Sequence, residues 1–297
     1  MQINYLKYKK IYFIFSGILV LGSLVSLLAF GLKPGIDFTG GSILEVEYKT
    51  VRPSNQEIKD NLNEFGLSDI YVQPTGEKGV ILRMEEISEE IHQRIIQKLK
   101  ENNELEELRF ESIGPVIGRE LKEKTKVVVI FSLLAIVSYI AFAFRKLTFP
   151  AKSWQYGLTS LIALFHDILI PLGIFSILGK FSGVQIQIPV IVALLTVLGY
   201  SINNTVVVFD RVRENLFRKV GGNFEEVVNK SLNQTLTRSL NTSLTTLFVL
   251  IAIFFLGGET LRYFSLALIL GIIAGTYSSF FLVSSLLVTW LKWRGKI

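Results

Sequence analysis

The sequence lacks cysteine altogether and contains only two histidines. Without cysteine the chain can form neither a disulfide framework nor a thiolate site, and two histidines are too few for the common metal centres. The HExxH metal pair, the GxSxG nucleophile elbow, the Walker phosphate loop and the GxGxxG dinucleotide fingerprint are also absent from the sequence. We therefore expect no catalytic role, no metal and no cofactor.

Acidic residues are scarce outside one segment. Residues 33–126 hold 19 of the 25 Asp and Glu but 14 of the 31 Lys and Arg, and the rest of the chain holds 6 acidic and 17 basic residues. Lys180 and Arg262 lie in the two short loops on the opposite side. The other 15 basic residues lie at both ends and in every second connection between the apolar segments: Lys7, Lys9, Lys10, Arg145, Lys146, Lys152, Arg211, Arg213, Arg218, Lys219, Lys230, Arg238, Lys292, Arg294 and Lys296. This asymmetry predicts cytoplasmic termini and an extracytoplasmic segment 33–125. The net charge of +6 thus reflects topology, and no nucleic-acid partner is expected.

Long hydrophobic segments dominate the rest of the sequence, which has a mean hydropathy of +0.46. A helix needs about 20 mostly apolar residues to cross a bilayer. The segments that meet this requirement are Ile11–Leu32, Lys126–Phe144, Tyr156–Leu178, Ile188–Phe209, Leu240–Leu256 and Tyr263–Leu291. No small-residue cleavage pattern follows the first segment, so we expect it to remain as an anchor. The sequence predicts an α-helical membrane protein with six transmembrane helices.

Residues 33–115 are predicted to form a small extracytoplasmic α+β domain. Strand-like and helical patterns alternate over Ser42–Tyr48, Pro53–Phe65, Asp69–Gln73, Gly79–Met84, Ser88–Asn102 and Leu108–Ile113. The resulting order, βαββαβ, is that of a ferredoxin-like domain, which does not by itself define a function. Residues 1–32 then contain the first span, and residues 116–297 contain the other five.

Two connecting segments carry specific expectations. Val116–Thr125 has an amphipathic pattern, which predicts a helix lying along the outer membrane face before the second span. The cytoplasmic loop 210–238 is predicted to form two short helices hinged at Gly221 and Gly222, with its basic face near anionic lipid headgroups. Pro74, Thr75 and Gly76 are expected to form a turn between two strands.

Polar side chains at bilayer depth are costly and usually functional. His166 and Asp167 lie near the middle of the third segment, and they could be either a structural pair or part of an ion path. Asn203 and Asn204 lie in the inner half of the fourth segment. Helical spacing predicts a matching polar stripe on the fifth segment, with Arg238 facing the bundle: Gln234, Arg238, Asn241, Thr242 and Thr245.

The sixth segment carries a ridge of small residues, which allows helices to approach closely: Ala267, Gly271, Gly275, Ser278 and Ser279. Asp210, beside Arg211 at the membrane edge, is expected to be a solvated helix cap. For the Ser and Thr residues of the spans, ordinary hydrogen bonding between helices is the favoured interpretation.

Several blocks of the sequence resemble the SecD and SecF family of the RND superfamily. They are Lys33–Gly41 (KPGIDFTGG), Glu111–Leu121, Ala163–Ile168, Leu195–Asn215 (LTVLGYSINNTVVVFDRVREN), Ser231–Thr245 and Gly257–Arg262. Together they cover essentially the whole chain in the expected order. Six helices with one small external domain resemble the SecF branch. The resemblance includes the motif positions Asp37, Gly40, Gly41 and Asp210.

This resemblance implies an accessory subunit of the Sec protein-export translocase in the inner (plasma) membrane. Such a subunit would pair with a SecD-like protein and use the proton motive force to drive late steps of translocation. The implied partners are that subunit, the translocon channel, the emerging polypeptide and membrane lipids. The alternative is an RND-type half-transporter for a lipid or small molecule. Such a transporter would need a larger external domain, because the external segment here has only about 80 residues, little more than one minimal hydrophobic core.

One residue departs from the family motif, which implies an Asp where this chain has Asn204. In the family that Asp carries the proton, and Arg238 matches its basic partner. Asparagine copies the shape of aspartate but cannot ionise. Asn204 is thus either an engineered block, which the otherwise intact scaffold favours, or a natural variant with lost or relocated coupling. Asp167 is then the remaining carboxylate near the middle of the membrane.

Overall fold

The structure is a computed structural model that describes residues 3–67, 70–101, 103–143, 145 and 151–295. These residues form two compact units. The membrane unit contains residues 3–32, Val128–Val184 and 188–295. The sheet unit contains Lys33–Val127 and Gln185–Gln187.

The secondary structure alternates between the two units along the chain. The helices are α1 (Lys9–Phe30), α2 (Ile36–Thr39), α3 (Asn55–Leu62), α4 (Glu89–Lys100), α5 (Pro115–Ala143), α6 (Ser153–Ser182), α7 (Ile188–Phe217), α8 (Phe224–Leu256), α9 (Glu259–Tyr277) and α10 (Val283–Trp293). The strands are β1 (Gly41–Tyr48), β2 (Tyr71–Thr75), β3 (Gly79–Met84) and β4 (Leu105–Ile113).

Six helical segments of the described chain are long and apolar enough to cross a membrane, which confirms the predicted number of spans. They correspond to α1 with the 3₁₀ turn before it, to α5, α6, α7 and α8, and to α9 and α10 taken together. In the last span, the hydrogen bonding widens to the π-helical type over Ser278–Leu282.

Close approaches between small residues bring the spans together. A Cβ atom added to Gly271 of α9 would lie 2.2 Å from a side-chain carbon of Val197 on α7. On α1, the Ser26 hydroxyl donates a hydrogen bond to the carbonyl of Gly173 on α6 at 2.9 Å. The predicted small-residue ridge on the sixth segment is thus confirmed at Gly271 as a helix contact.

The sheet unit is a ferredoxin-like domain, as predicted. Its antiparallel strands are ordered β2-β3-β1-β4. Helices α3 and α4 pack against a core that includes Leu44, Val46, Leu82 and Ile95. Each of these helices starts at a serine cap: the Ser54 hydroxyl accepts from the Glu57 amide, and the Ser88 hydroxyl accepts from the Ile91 amide. Caps of this kind satisfy amides that have no partner inside the helix.

The prediction of a separate helix over Val116–Thr125 is wrong, because α5 runs without a break from Pro115 to Ala143. Ion pairs between Glu120 and Lys124 (2.7 Å) and between Glu123 and Lys126 (2.6 Å) lie on its surface. Such pairs one turn apart support a helix, and no proline interrupts it.

The two short helices expected between the fourth and fifth spans are not separate elements. Helix α7 continues to Phe217, and α8 begins at Phe224, so the spans themselves extend into the loop. The change of direction occurs at Gly221, whose φ is +116°, and Asn223 caps α8 by accepting a hydrogen bond from the Glu226 amide. The expected glycine hinge is present, but it joins two long helices.

The predicted turn at Pro74, Thr75 and Gly76 is confirmed at Gly76 but not at Pro74 and Thr75. Both residues belong to β2, an edge strand where proline is tolerated, and the chain turns at Gly76 with a φ of +60°. The expected start of this strand at Asp69 lies outside the described residues, and β2 begins at Tyr71.

Candidate functional site

Asp167 is the centre of a polar cluster inside the membrane unit. It lies midway along α6, and its side chain is completely buried. Its Oδ2 atom accepts hydrogen bonds from the hydroxyls of Ser201 on α7 (2.5 Å) and Ser278 in the π-helical turn (2.7 Å). A buried carboxyl group needs such partners to be stable. One carboxyl group therefore joins three of the six spans.

His166 extends this cluster towards α1. Its Nδ1 atom lies 2.8 Å from Asp167 Oδ1, and its Nε2 atom is buried without a hydrogen-bond partner among the residues that the structure describes. The Tyr277 ring lies 6.2 Å from the His166 ring. The Tyr277 hydroxyl in turn donates to the carbonyl of Tyr12 and accepts from Ser16. The structure thus brings His166 and Asp167 together with further titratable and hydroxyl groups.

Two consecutive serines of the π-helical turn form hydrogen bonds with different residues. Ser278 reaches Asp167, while the Ser279 hydroxyl lies 2.9 Å from that of Thr205 and donates to the Ser201 carbonyl at 3.2 Å. Turns of this kind often occur at functional sites. A carboxyl group surrounded by hydroxyls can accept and pass on a proton. Across the described ranges, no group of three or more His, Asp and Glu could hold a metal ion.

Asn203 and Asn204 point in different directions from α7. Asn204 is buried, at 3% exposure, and its Nδ2 atom has no hydrogen-bond partner within the described part of the chain. Asn203 is exposed on the surface of the membrane unit. Neighbouring residues are about 100° apart around a helix, and the rotation of α7 buries Asn204 while it exposes Asn203.

Exposed polar residues of α7 and α8 form what we call the polar face: Thr196, Asn203, Gln234, Thr237, Arg238, Asn241, Thr242 and Thr245. The expectation that Arg238 faces the bundle of its own chain is wrong, because Arg238 is exposed and its guanidinium forms no ion pair with any described residue. The Thr242 hydroxyl donates to the Arg238 carbonyl at 3.0 Å. Polar groups are therefore presented outwards from helices long and apolar enough to cross a membrane.

The residues Asp37, Gly40 and Gly41 belong to the sheet unit, and Asp210 belongs to α7. Asp37 lies in the first turn of α2, and the two glycines join α2 to β1 with φ values of +76° and +127°. A Cβ atom on Gly40 would lie 2.8 Å from Pro115 Cα, as expected for a close backbone approach. Asp210 is not a helix cap: it lies within α7, is exposed, and pairs with Arg213 at 2.8 Å.

Sequence reasoning did not connect Ser201 and Ser278 with Asp167. The sequence patterns mark Ser278 only as a small residue and do not single out Ser201. A usable signal exists for Ser201, which lies one helical turn before Thr205 on the buried side of α7. Ser278 could not have been assigned in this way, because a π-helical turn changes which residues face the interior.

Two family profiles match the chain. "Protein export membrane protein SecD/SecF, C-terminal" matches residues 93–293, and "SecD/SecF GG Motif" matches residues 25–50. A "Protein translocase subunit SecF" from Thermobaculum terrenum is 42% identical, with 97% of this chain and 94% of that protein covered. A protein of the same name from Desulfurispirillum indicum is 38% identical, with 93% and 87% covered.

A solved structure is also similar. It is that of "SecDF, a translocon-associated membrane protein", from Thermus thermophilus, with a TM-score of 0.85 and 33% sequence identity. The match covers 98% of this chain and 39% of that chain. A second SecDF structure, in a "super-membrane-facing form", has a TM-score of 0.68 with the same identity. The chain therefore spans well under half the length of these structural relatives.

Proposed function

Since this chain belongs to the SecD/SecF family of protein-export membrane proteins, as a SecF subunit, we propose that it draws on the proton motive force to assist late steps of polypeptide translocation. The observation that carries the proposal is the likeness of nearly the whole chain to part of a translocon-associated SecDF protein. The proposed protein partners are a SecD-like subunit, the translocon channel and the emerging polypeptide.

The polar face supports a membrane-embedded partner. Asn203 and Arg238 are exposed on helices long and apolar enough to cross a membrane, and polar groups that meet lipid tails are costly. Helices of a partner subunit would shield these groups and hydrogen-bond to them. The part of SecDF that this chain does not cover is long enough to contain such helices. We therefore propose that the SecD-like subunit covers the polar face.

The Asp167 cluster supports proton coupling at a position other than 204. Asn204 cannot ionise, so it cannot collect the roughly 2.3 kcal/mol that one charge gains from a 100 mV membrane potential. Among the described residues, Asp167 is the carboxyl group that is buried in the bundle, and its hydroxyl partners come from two other spans. We propose that Asp167 binds the proton in this chain. Protonation would weaken its role as a hydrogen-bond acceptor and so change the contacts between spans.

The distribution of charge supports the orientation. Lys9 and Lys292 lie near opposite ends of the chain, yet both pair with Glu225 at the start of α8. Both termini thus lie at the same end of the membrane unit. The basic excess at this end favours the cytoplasmic side, with residues 33–125 outside. The chain is an inner-membrane, multi-pass protein.

The test is an export assay in vesicles that contain the chain, its SecD-like partner and the translocon, with an imposed proton gradient. We expect Asp167→Asn to abolish the gradient-dependent part of export and Asp167→Glu to retain some of it. Ser284→Ala, a change outside both the Asp167 cluster and the polar face, is the matched control and should export normally. Gradient-dependent export by Asp167→Asn equal to that of the unmodified chain would overturn the coupling role.

Asn204→Asp tests the second half of the proposal. A carboxyl group here would restore the residue that the family motif implies, and we expect gradient-dependent export to rise. If Asn204→Asp and Asp167→Asn both leave export unchanged while the partner still co-purifies, the chain supports export without carrying protons. If the unmodified chain failed to co-purify with a SecD-like protein, the assignment as a subunit of that complex would itself be contradicted.

A further inference from the structure

A crevice opens on the surface of the membrane unit at the end that carries both termini. Its volume is about 360 Å³, within the range of small-molecule sites. It lies between α1, α6 and α10, and its walls include Phe13, Ile162, Leu286 and Trp290. The polar face lies on α7 and α8. The residues that line this crevice are therefore different from those of the surface assigned to the SecD-like partner.

Aromatic rings and one cation border the mouth of the crevice. Trp154, in the first turn of α6, packs edge-to-face against Trp290 of α10, with ring centroids 5.0 Å apart. The guanidinium carbon of Arg294 lies 5.9 Å from the Trp154 ring and 5.7 Å from the Trp290 ring. At these distances the rings attract the cation and hold it in place. Tryptophans are typical of the boundary between lipid tails and headgroups.

The charge on Arg294 is not neutralised by the protein residues that the structure describes. Lys9 and Lys292, two other basic residues at this end of the membrane unit, both pair with Glu225. Arg294 forms no ion pair with a described carboxylate and is exposed. A planar guanidinium with free donors is well suited to bind a phosphate through two hydrogen bonds.

The order of chemical groups along the bundle matches one kind of molecule. Apolar side chains lie towards the middle of the membrane, tryptophans follow, and an unneutralised guanidinium lies beyond them. A phospholipid has the same order, with acyl chain, glycerol region and phosphate. We propose that this crevice binds an anionic phospholipid, with one acyl chain between Phe13 and Leu286 and the headgroup on Arg294.

The chain offers a direct probe, because all three of its tryptophans, Trp154, Trp290 and Trp293, lie at this site. The full-length chain is reconstituted into phosphatidylcholine vesicles that contain a small fraction of phospholipid with brominated acyl chains, which quench tryptophan fluorescence on contact. We expect brominated phosphatidylglycerol to occupy the site about five-fold more tightly than brominated phosphatidylcholine. This ratio corresponds to about 1 kcal/mol for one basic side chain at an anionic surface.

The variant Arg294→Gln should remove this preference, whereas Arg294→Lys should retain part of it. Arg218→Gln is the matched control, because it removes one exposed positive charge at the same end of the unit without touching the crevice. Equal quenching by the two brominated lipids, or an unchanged preference in Arg294→Gln, would overturn the proposal. Quenching that disappears when the SecD-like partner is bound would assign the crevice to a protein contact instead.

Discussion

The Ser278 hydroxyl donates a hydrogen bond to Asp167 Oδ2 at 2.7 Å, although the two residues are 111 positions apart in the sequence. The contact joins the third span to the π-helical turn of the last span. The position of the Ser278 hydroxyl depends on that turn, so the π-helical geometry and the hydrogen bond to the carboxyl group are coupled. A change in the charge of Asp167 would act on the last span through this contact.

The first prediction concerns this hydrogen bond. Ser278→Ala removes a donor from a buried carboxyl group, and we expect a loss of about 1–3 kcal/mol in the free energy of unfolding. Thermal unfolding of the purified chain in detergent would measure it.

Ser284 is the matched control for Ser278→Ala. It is fully buried on α10, but its hydroxyl has no hydrogen-bond partner among the described residues. Ser284→Ala should therefore change stability far less than Ser278→Ala. Equal effects of the two substitutions would mean that the bond to Asp167 contributes nothing specific.

The second prediction concerns the close packing of α7 and α9. In Gly271→Ala the new Cβ atom would overlap the Val197 side chain, and we expect a destabilisation of about 1–3 kcal/mol from overpacking. Gly22→Ala on α1 meets no atom within 4 Å and should be nearly neutral. Thermal unfolding of the two variants side by side compares them, and a chain that tolerates Gly271→Ala equally well would contradict the observed approach.

The third prediction compares two glycines of the sheet unit that both have positive φ values. Gly40 has φ +76° and ψ 170°, whereas Gly66 has φ +66° and ψ 18°. Of the two, only Gly40 has a neighbour, Pro115 Cα, within 3 Å of an added Cβ atom. Gly66→Ala should cost about 1–2 kcal/mol from the left-handed conformation alone. Gly40→Ala should cost more, since residues other than glycine rarely adopt its combination of φ and ψ and the backbone of α5 would also have to move.

Limited proteolysis of the full-length chain measures this difference. We expect cleavage within the sheet unit to be faster in Gly40→Ala than in Gly66→Ala at the same protease concentration. The reverse order would show that the contact with Pro115 is not a constraint on Gly40.

The fourth prediction concerns Tyr48 at the end of β1, whose side chain is buried in the core of the sheet unit, so that the residue is 1% exposed. Burial raises the pKa of Tyr48 from 10.0 to about 12, because the charged form loses its hydration. The folded state therefore holds this proton more tightly than the unfolded state. The resulting stabilisation is present below pH 10 and is lost as the pH rises from about 10 to about 12.

Absorbance of tyrosinate across an alkaline titration tests this value. The difference between the unmodified chain and Tyr48→Phe isolates the titration of Tyr48, and we expect its midpoint near pH 12 for the folded protein. Tyr71→Phe, which removes a half-exposed tyrosine of the same sheet, provides the comparison. A Tyr48 midpoint at pH 10 would contradict burial of this hydroxyl in solution.

Much of the fold follows from local properties of the sequence. The six spans were predicted from the length of apolar segments, because a bilayer imposes that length on a helix. The ferredoxin-like domain was predicted from alternating strand and helix patterns, and Ser88 was correctly assigned as a helix cap. The predictions failed where a boundary depended on context, as in the uninterrupted α5, for which the membrane edge does not end the helix.

The candidate site shows where local patterns are insufficient. Hydropathy and residue type identify His166, Asp167, Asn203 and Asn204 as unusual, since polar groups are rare in spans. They do not reveal which neighbour is buried, because that depends on how each helix is rotated against the others. Packing alone exposes Asn203, buries Asn204 and directs Ser201 and Ser278 to one carboxyl oxygen. The same long-range packing brings together Trp154 at the start of the third span and Arg294 after the last span, which no periodicity in either segment specifies.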